Sequence, residues 1–159
     1  MAMSETQRKP VERPDPIRLA AYRTFITANA EVITRIERDL TAAAVIPLGW
    51  YDVLIELYEA PDRRLRLHEL ARAVVLSRST LTRTVDRLEQ AGLLRREPDP
   101  TDRRGAFAVL TDEGLEAMRD AWPFYAQGIV DYFTRHLSDE EARILTAVCK
   151  RIRDAARES

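Results

Sequence analysis

The sequence predicts a mainly α-helical fold of six helices, with one small β-hairpin between the fourth and the fifth. Three observations carry that expectation. Apolar residues recur every three or four positions along much of the chain, the spacing of helices that bury one face. Two short strand-like runs flank the segment PDPTDRRG, whose prolines and glycine make it a hairpin loop. Cap residues stand where helices should begin and end: Ser77, Thr111 and Ser138 at three starts, Gly92 at one finish.

Each element follows in turn. Residues 1–16, MAMSETQRKPVERPDP, are polar and carry Pro10, Pro14 and Pro16, so a disordered or extended arm without a signal-peptide core is expected there. From Ile17 to Ala44, the residues Leu19, Tyr22, Ile26, Ile33, Ile36 and Leu40 draw the stripe of a long first helix. Pro47 and Gly49 interrupt it, and a second helix spans about Trp50 to Glu59, closed by Pro61 and Asp62. Leu67 to Val75 (LHELARAVV) is a short third helix. Ser77 caps a fourth that reaches Gln90 or Ala91 and stops at Gly92. Leu93–Glu97 and Ala106–Leu110 are the strands. Thr111 caps the fifth helix, where Pro123 predicts a kink or break near Trp122. Ser138 with Glu141 forms a capping box for the last helix, Asp139 to about Ala156.

Composition excludes several classes of protein. At 159 residues, 45% hydrophobic and 32% charged, the chain can bury a core without disulfides or metals. Its single cysteine, Cys149, allows no internal disulfide, and no window approaches the ~20 apolar residues of a membrane span. A cytoplasmic protein with no membrane association is the default. His68 and His136 lie far apart, and no HExxH, CxxC, P-loop or GxSxG pattern occurs. No catalytic residue, metal site or cofactor is therefore predicted, and the chain does not read as an enzyme. His68 reads as an exposed or capping residue. Cys149, on an apolar stripe beside Lys150, reads as a buried, inert thiol, with an oxidation sensor as the alternative.

Net charge is −1, yet Arg63 through Arg104 holds eleven arginines against six acids, a local +5 balanced by −6 elsewhere. A basic face on an otherwise acidic protein is the electrostatic footprint of nucleic-acid binding, although solvated surface can look similar. The fourth helix narrows the choice. On a helical wheel Leu81, Val85 and Leu88 form the core stripe, while Ser79, Thr82, Arg83 and Asp86 face away, with Arg78 on the flank and Thr80 across the axis. Small polar residues let a helix sit deep in a ~12 Å major groove, where arginine reaches a guanine edge or a phosphate. Hydroxyls at its start, such as Ser77, can hold phosphate beside the free amides of the first turn. The short helix before it completes a helix-turn-helix.

The hairpin is more specific. Asp102 and Arg104 stand one residue apart at its tip, where the carboxylate can hold a guanidinium extended. An arginine on a narrow β-tongue suits the minor groove, with Arg103 and Arg95 or Arg96 clamping phosphates beside it. A solubilising turn is the plain alternative for the loop alone, but the helix–hairpin order disfavours it for the pair.

These features resemble the winged helix-turn-helix of the MarR regulators. The matching residues are "ELA", the pattern S-x-x-T-x-x-V-D-x-L-E-x-x-G-L, the wing D-x-R at Asp102–Arg104, "LT-x-x-G" at Leu110–Gly114, and "WYDVL" at 50–54. The resemblance spans about Ile17 to Ala156. It implies a homodimer whose first and last helices intertwine, a recognition helix at Ser77–Gln90 and a wing-tip arginine at Arg104. The implied domains are an arm at 1–16, a helical dimerisation region at 17–47 and 112–157, and a winged helix-turn-helix DNA-binding domain at 48–111. The partners expected are double-stranded DNA, a second copy of the chain, and a small aromatic or anionic effector that releases a repressor from a pseudo-palindromic operator. DNA contacts are expected from Ser77, Arg78, Ser79, Thr80, Thr82, Arg83, Arg87, Arg96, Asp102, Arg103 and Arg104.

The outer helices bear on the dimer. Leu145, Val148, Cys149 and Ile152 form an apolar stripe on the last helix, the first has its own, and the aromatic stretch WPFYAQGIVDYF lies between. Pairing between protomers would cover these faces, and an intramolecular bundle is the other way to do so. For the effector, Trp50 and Tyr51 open the second helix, with Tyr22 and Phe25 on the first as further candidates. The competing readings are an oxidation-sensing repressor that uses Cys149, and a winged-helix module that binds protein.

Overall fold

The computed structural model describes residues 12–74 and 77–158, apart from the Arg78 side chain. Most of the expected arm (residues 1–11), Val75 at the end of the expected third helix, and Leu76 after it lie outside the described residues. The chain divides into two units, one ending at Glu31 and one beginning at Val32.

The first unit contains the N-terminal part of helix α1 (Pro16–Ala42). Asp15 starts this helix by accepting hydrogen bonds from the Ile17 and Arg18 amides, both at 3.0 Å. Its apolar residues Ile17, Tyr22, Phe25 and Ile26 are exposed. The helix ends two residues before the expected Ala44, which takes a left-handed φ of 54°.

The second unit continues with α2 (Leu48–Glu59), β1 (Arg64–Arg66), α3 (Leu67–Ala73), α4 (Arg78–Gln90), β2 (Leu94–Asp99), β3 (Asp102–Leu110), α5 (Asp112–Tyr132) and α6 (Asp139–Glu158). Six helices and a small antiparallel sheet are the expected inventory, with corrections at particular residues. Helix α2 begins at Leu48 rather than Trp50, because the Pro47 carbonyl accepts the amides of both Trp50 and Tyr51 at 3.0 Å; Gly49 sits inside the first turn. Strand β1 was not anticipated. Three residues are too few to show an alternating pattern, and the strand exists because it pairs with distant β3, in register Arg64↔Val109 and Arg66↔Phe107. The sheet order is β1-β3-β2.

The hairpin is longer than expected, with Asp99 paired to Asp102 and only Pro100 and Thr101 between them. Asp99 closes this turn by accepting the Thr101 amide at 2.9 Å and the Thr101 hydroxyl at 2.7 Å. Of the kink or break expected near Trp122, the break does not occur: α5 runs through Pro123 to Tyr132. Proline removes one amide donor there. Arg119, whose carbonyl loses that partner, is exposed, so solvent can satisfy it. The capping box of α6 forms as read, with the Glu141 amide donating to Ser138 Oγ and the Ser138 amide to Glu141 Oε2 at 2.8 Å.

Helix α2 supplies the centre of the core. Val53, Leu54 and Leu57 are wholly buried, packed with Leu70 of α3, Val85 and Leu88 of α4, Leu94 of β2 and Ala121 of α5. A second cluster gathers Ile36, Leu40 and Leu48 against Ile129 and Tyr132. Here Gly128 permits a close approach, because a Cβ on it would lie 2.9 Å from Ile36 Cγ1. No residue of α6 is buried, and its Ile144 and Ile152 are 56% and 60% exposed. Among the described residues, no helix is long and apolar enough to cross a membrane.

Candidate nucleic-acid interface

Helix α4 presents its core stripe as the wheel requires: Leu81, Val85 and Leu88 are 5%, 2% and 0% exposed. Ser77 caps it, accepting the Thr80 amide at 3.2 Å and donating to the Thr80 hydroxyl at 2.8 Å. These two hydroxyls therefore start the helix. Ser79, Thr82, Arg83 and Arg87 face solvent along its length. The Arg78 side chain lies outside the described residues.

Asp86, expected on the same outward face, is turned toward the wing. Arg96 of β2 donates to Asp86 at 2.5 Å and to the Glu89 carboxylate, while its own amide donates to Glu89 at 3.1 Å. Arg96 is partly buried, and these carboxylates, Asp86 first, raise its pKa above the ordinary arginine value. The expected phosphate clamp is thus a strut between wing and recognition helix. Arg95 is likewise engaged, donating to Glu97 at 2.8 Å.

The wing tip differs from expectation in one detail. Asp102 does not hold the Arg104 guanidinium; it accepts the Arg104 main-chain amide at 3.0 Å. A Cβ on Gly105 would come within 3.1 Å of that carboxylate, so the missing side chain leaves it room. Both Arg103 and Arg104 are exposed. Below the tip, Asp99 is the one buried charged residue among those described. Arg66 Nε donates to it at 2.7 Å. That guanidinium, then the hydroxyl and amide of Thr101, hold the Asp99 carboxyl well below the usual carboxylate range.

The basic stretch therefore sorts into two sets. Arg63, Arg64, Arg66, Arg95 and Arg96 make ion pairs within the chain. Arg72, Arg83, Arg87, Arg103 and Arg104 are exposed, and no ion pair among the described residues engages them. Arg72, on α3, was not singled out in the sequence; only the local excess of positive charge pointed to it. It borders a groove of about 340 Å³ between α3, α4 and β2, with His68, Thr82 and Arg96.

The effector candidates are placed differently from one another. Tyr51 is a core residue, 7% exposed, its ring 5.0 Å from that of Tyr125 and 6.4 Å from that of Trp122. Trp50 is partly buried against the main hydrophobic core, and Tyr22 and Phe25 are exposed on α1. Trp122, half exposed at the edge of the aromatic cluster, was visible in the sequence only as part of an aromatic-rich run. Cys149 is partly rather than fully buried.

A short helix followed by a second one that turns hydroxyls and guanidinium groups outward, beside an arginine-tipped antiparallel hairpin, defines the winged helix-turn-helix class of DNA-binding transcriptional regulators. Comparison with known proteins gives the family. The chain belongs to the MarR family, whose model matches residues 39–105. It is 36% identical to the HTH-type transcriptional regulator MhqR of Bacillus subtilis (strain 168), covering 64% of this chain and 68% of that one. It is also similar to two solved Streptomyces coelicolor MarR family regulators, each at 32% identity and a TM-score of 0.83. AbsC is matched over 94% of this chain and 100% of its own. Sco3205, solved in complex with DNA, is matched over 91% of both. These relatives are transcriptional regulators and not enzymes.

Proposed function

We propose that the protein is a cytoplasmic homodimeric repressor that reads a pseudo-palindromic operator and leaves it when a small aromatic or anionic effector binds. The observation that carries the reading is the sorting of arginines. Arg63, Arg64, Arg66, Arg95 and Arg96 are ion-paired with acids of the same chain, while Arg83 and Arg87 on α4, Arg103 and Arg104 on the wing, and Arg72 on α3 are exposed with no ion pair among the described residues. In this reading Ser79, Thr82 and Arg83 face base edges in the major groove, Arg72 and Arg87 meet phosphates, and Arg104 enters the adjoining minor groove. Ser77, Thr80 and Asp102 serve by shaping the helix start and the wing tip. Residues 48–111 act as the reading head.

Dimerisation is supported by unburied apolar residues at both ends of the chain: Ile17, Tyr22 and Phe25 of α1, and Ile144 and Ile152 of α6. Such faces are covered in stable proteins, and a second copy does so symmetrically. Sedimentation should find two chains per particle, and two reading heads call for half-sites about 10 bp apart or a multiple of it. The effector reading rests on Trp50, partly buried against the core, and on Trp122, half exposed at the edge of the aromatic cluster with Tyr51 and Tyr125. Aromatic carboxylates that release the operator should also quench tryptophan fluorescence.

The decisive measurement is a gel-shift titration on a duplex the protein selects from a randomised pool. Arg83→Ala should cost about 1–3 kcal/mol of binding and relax base preference. Arg104→Ala should weaken binding most on sites whose flanks have a narrow minor groove. Parental affinity in both variants would refute the assignment.

A further inference from the structure

We infer that Arg66 and Asp99 form a latch that sets the position of the wing, and that both are positioning residues for the minor-groove contact of Arg104. The inference rests on the reading of the wing given above. Arg66 lies on β1 and Asp99 on β2, and these are the two edge strands of a sheet whose middle strand is β3. Their 2.7 Å hydrogen bond therefore crosses the full width of the sheet. It passes Phe107, the residue of β3 that pairs with both Arg66 and Glu97, and the Arg66 guanidinium carbon stands 5.1 Å from the centre of its ring.

The geometry explains why such a bond matters. Strand β1 pairs with β3 only over residues 107–109, so the hairpin beyond Phe107 is a two-stranded ribbon. Two-stranded ribbons twist more and are weakly stable by themselves. Residues 101–104 of this ribbon are all exposed, so no core packing holds its tip. The latch supplies the missing constraint and carries it to the tip. Asp99 grips the turn through the Thr101 amide and hydroxyl, and Asp102 next to it grips the Arg104 amide. At the other end, the Arg66 amide donates to Glu69 at 3.0 Å, which anchors the latch at the start of α3 in the reading head. Hydrogen bonds from α3 to the Asp99–Thr101 turn, and the peptide bond from Thr101 to Asp102, thus join α3 to the main chain of Arg104. A carboxylate only 2% exposed is costly to keep in a surface hairpin, and stability alone could have been met with an apolar residue.

A double-mutant cycle tests the latch. Arg66→Met keeps the apolar stem over Phe107 and removes the guanidinium; Asp99→Asn keeps the shape and removes the charge. Each should lower affinity for the selected duplex roughly tenfold, and Arg66→Lys should recover part of the loss. Because the latch acts through Arg104, the Arg66→Met, Arg104→Ala double variant should bind no more weakly than Arg104→Ala alone. Losses that multiply, or parental affinity in Arg66→Met, would overturn the latch and leave the DNA-reading assignment intact. Parental affinity in Arg104→Ala alone would overturn the wing reading and the latch with it. Should Asp99→Asn fail to fold, Arg66→Met decides the matter, because the Arg66 side chain is 38% exposed and lies outside the core.

Discussion

Replacing Gly114 by alanine is expected to destabilise the fold by about 2–3 kcal/mol or more, as read from urea unfolding midpoints. A Cβ at this position would lie 2.0 Å from the Leu93 main-chain oxygen and 2.8 Å from Leu110 Cδ1. That oxygen belongs to backbone and is itself engaged, accepting the Thr111 amide at 3.3 Å. Thr111 completes the joint by donating its hydroxyl to the Gly92 carbonyl at 2.7 Å while accepting the Gly114 amide at 3.1 Å. The first turn of α5 is thus pressed onto the turn that follows α4, and relief requires the helix to move. Alanine's better helix propensity, worth up to ~1 kcal/mol, does not offset the clash. Gly49→Ala is the matched control, because a Cβ there meets nothing within 4 Å. It should be neutral or stabilising by up to ~1 kcal/mol. Equal midpoints for the two variants would show that α5 does not sit this close to Leu93.

Asp52→Asn is expected to stabilise the protein at pH 7 by on the order of 2–3 kcal/mol. Burial pushes the Asp52 carboxyl up to about 6 from its ordinary 3.8, and the negative charges of Glu56 and Glu37 add to the effect. It has no compensating ion pair among the described residues. The sign follows from linkage. The folded state holds this proton more tightly than the unfolded chain. The parent therefore loses stability as pH rises from about 4 through about 6, and the loss is complete above that range. The asparagine variant lacks this slope, so the two proteins should converge below pH 4 and separate by neutrality. Glu56→Gln should reproduce only part of the gain, since it removes one charge and leaves the desolvation. Identical pH dependence of stability in the parent and the asparagine variant across that window would rule out a desolvated Asp52 carboxylate.

Much of the architecture was legible because it is written in short-range terms. Ser77, Thr111 and Ser138 each accept the amide three residues ahead, an interaction visible in the spacing itself. Gly92 takes the left-handed φ of 74° expected of a helix stop. The stripe of Leu81, Val85 and Leu88 faces inward for the same local reason. Two of the misread features depend on distant partners. Strand β1 has too few residues to carry a pattern and forms only against β3. The hairpin closes tightly because Asp99 finds Thr101 and Arg66, and the second of these lies 33 residues away.

By itself, the order of residues determined the helix series, the caps, the hairpin between the fourth and fifth helices, and the family to which the chain belongs. Only the tertiary structure decided which arginines of the basic stretch are ion-paired within the chain. Arg83 and Arg96 are indistinguishable as letters, yet Arg96 meets carboxylates seven and ten residues back, whereas Arg83 faces solvent. The physical reason is range. Helix periodicity and capping act within a turn or two of chain, but whether a guanidinium is neutralised depends on which acids folding brings within about 3–4 Å of it.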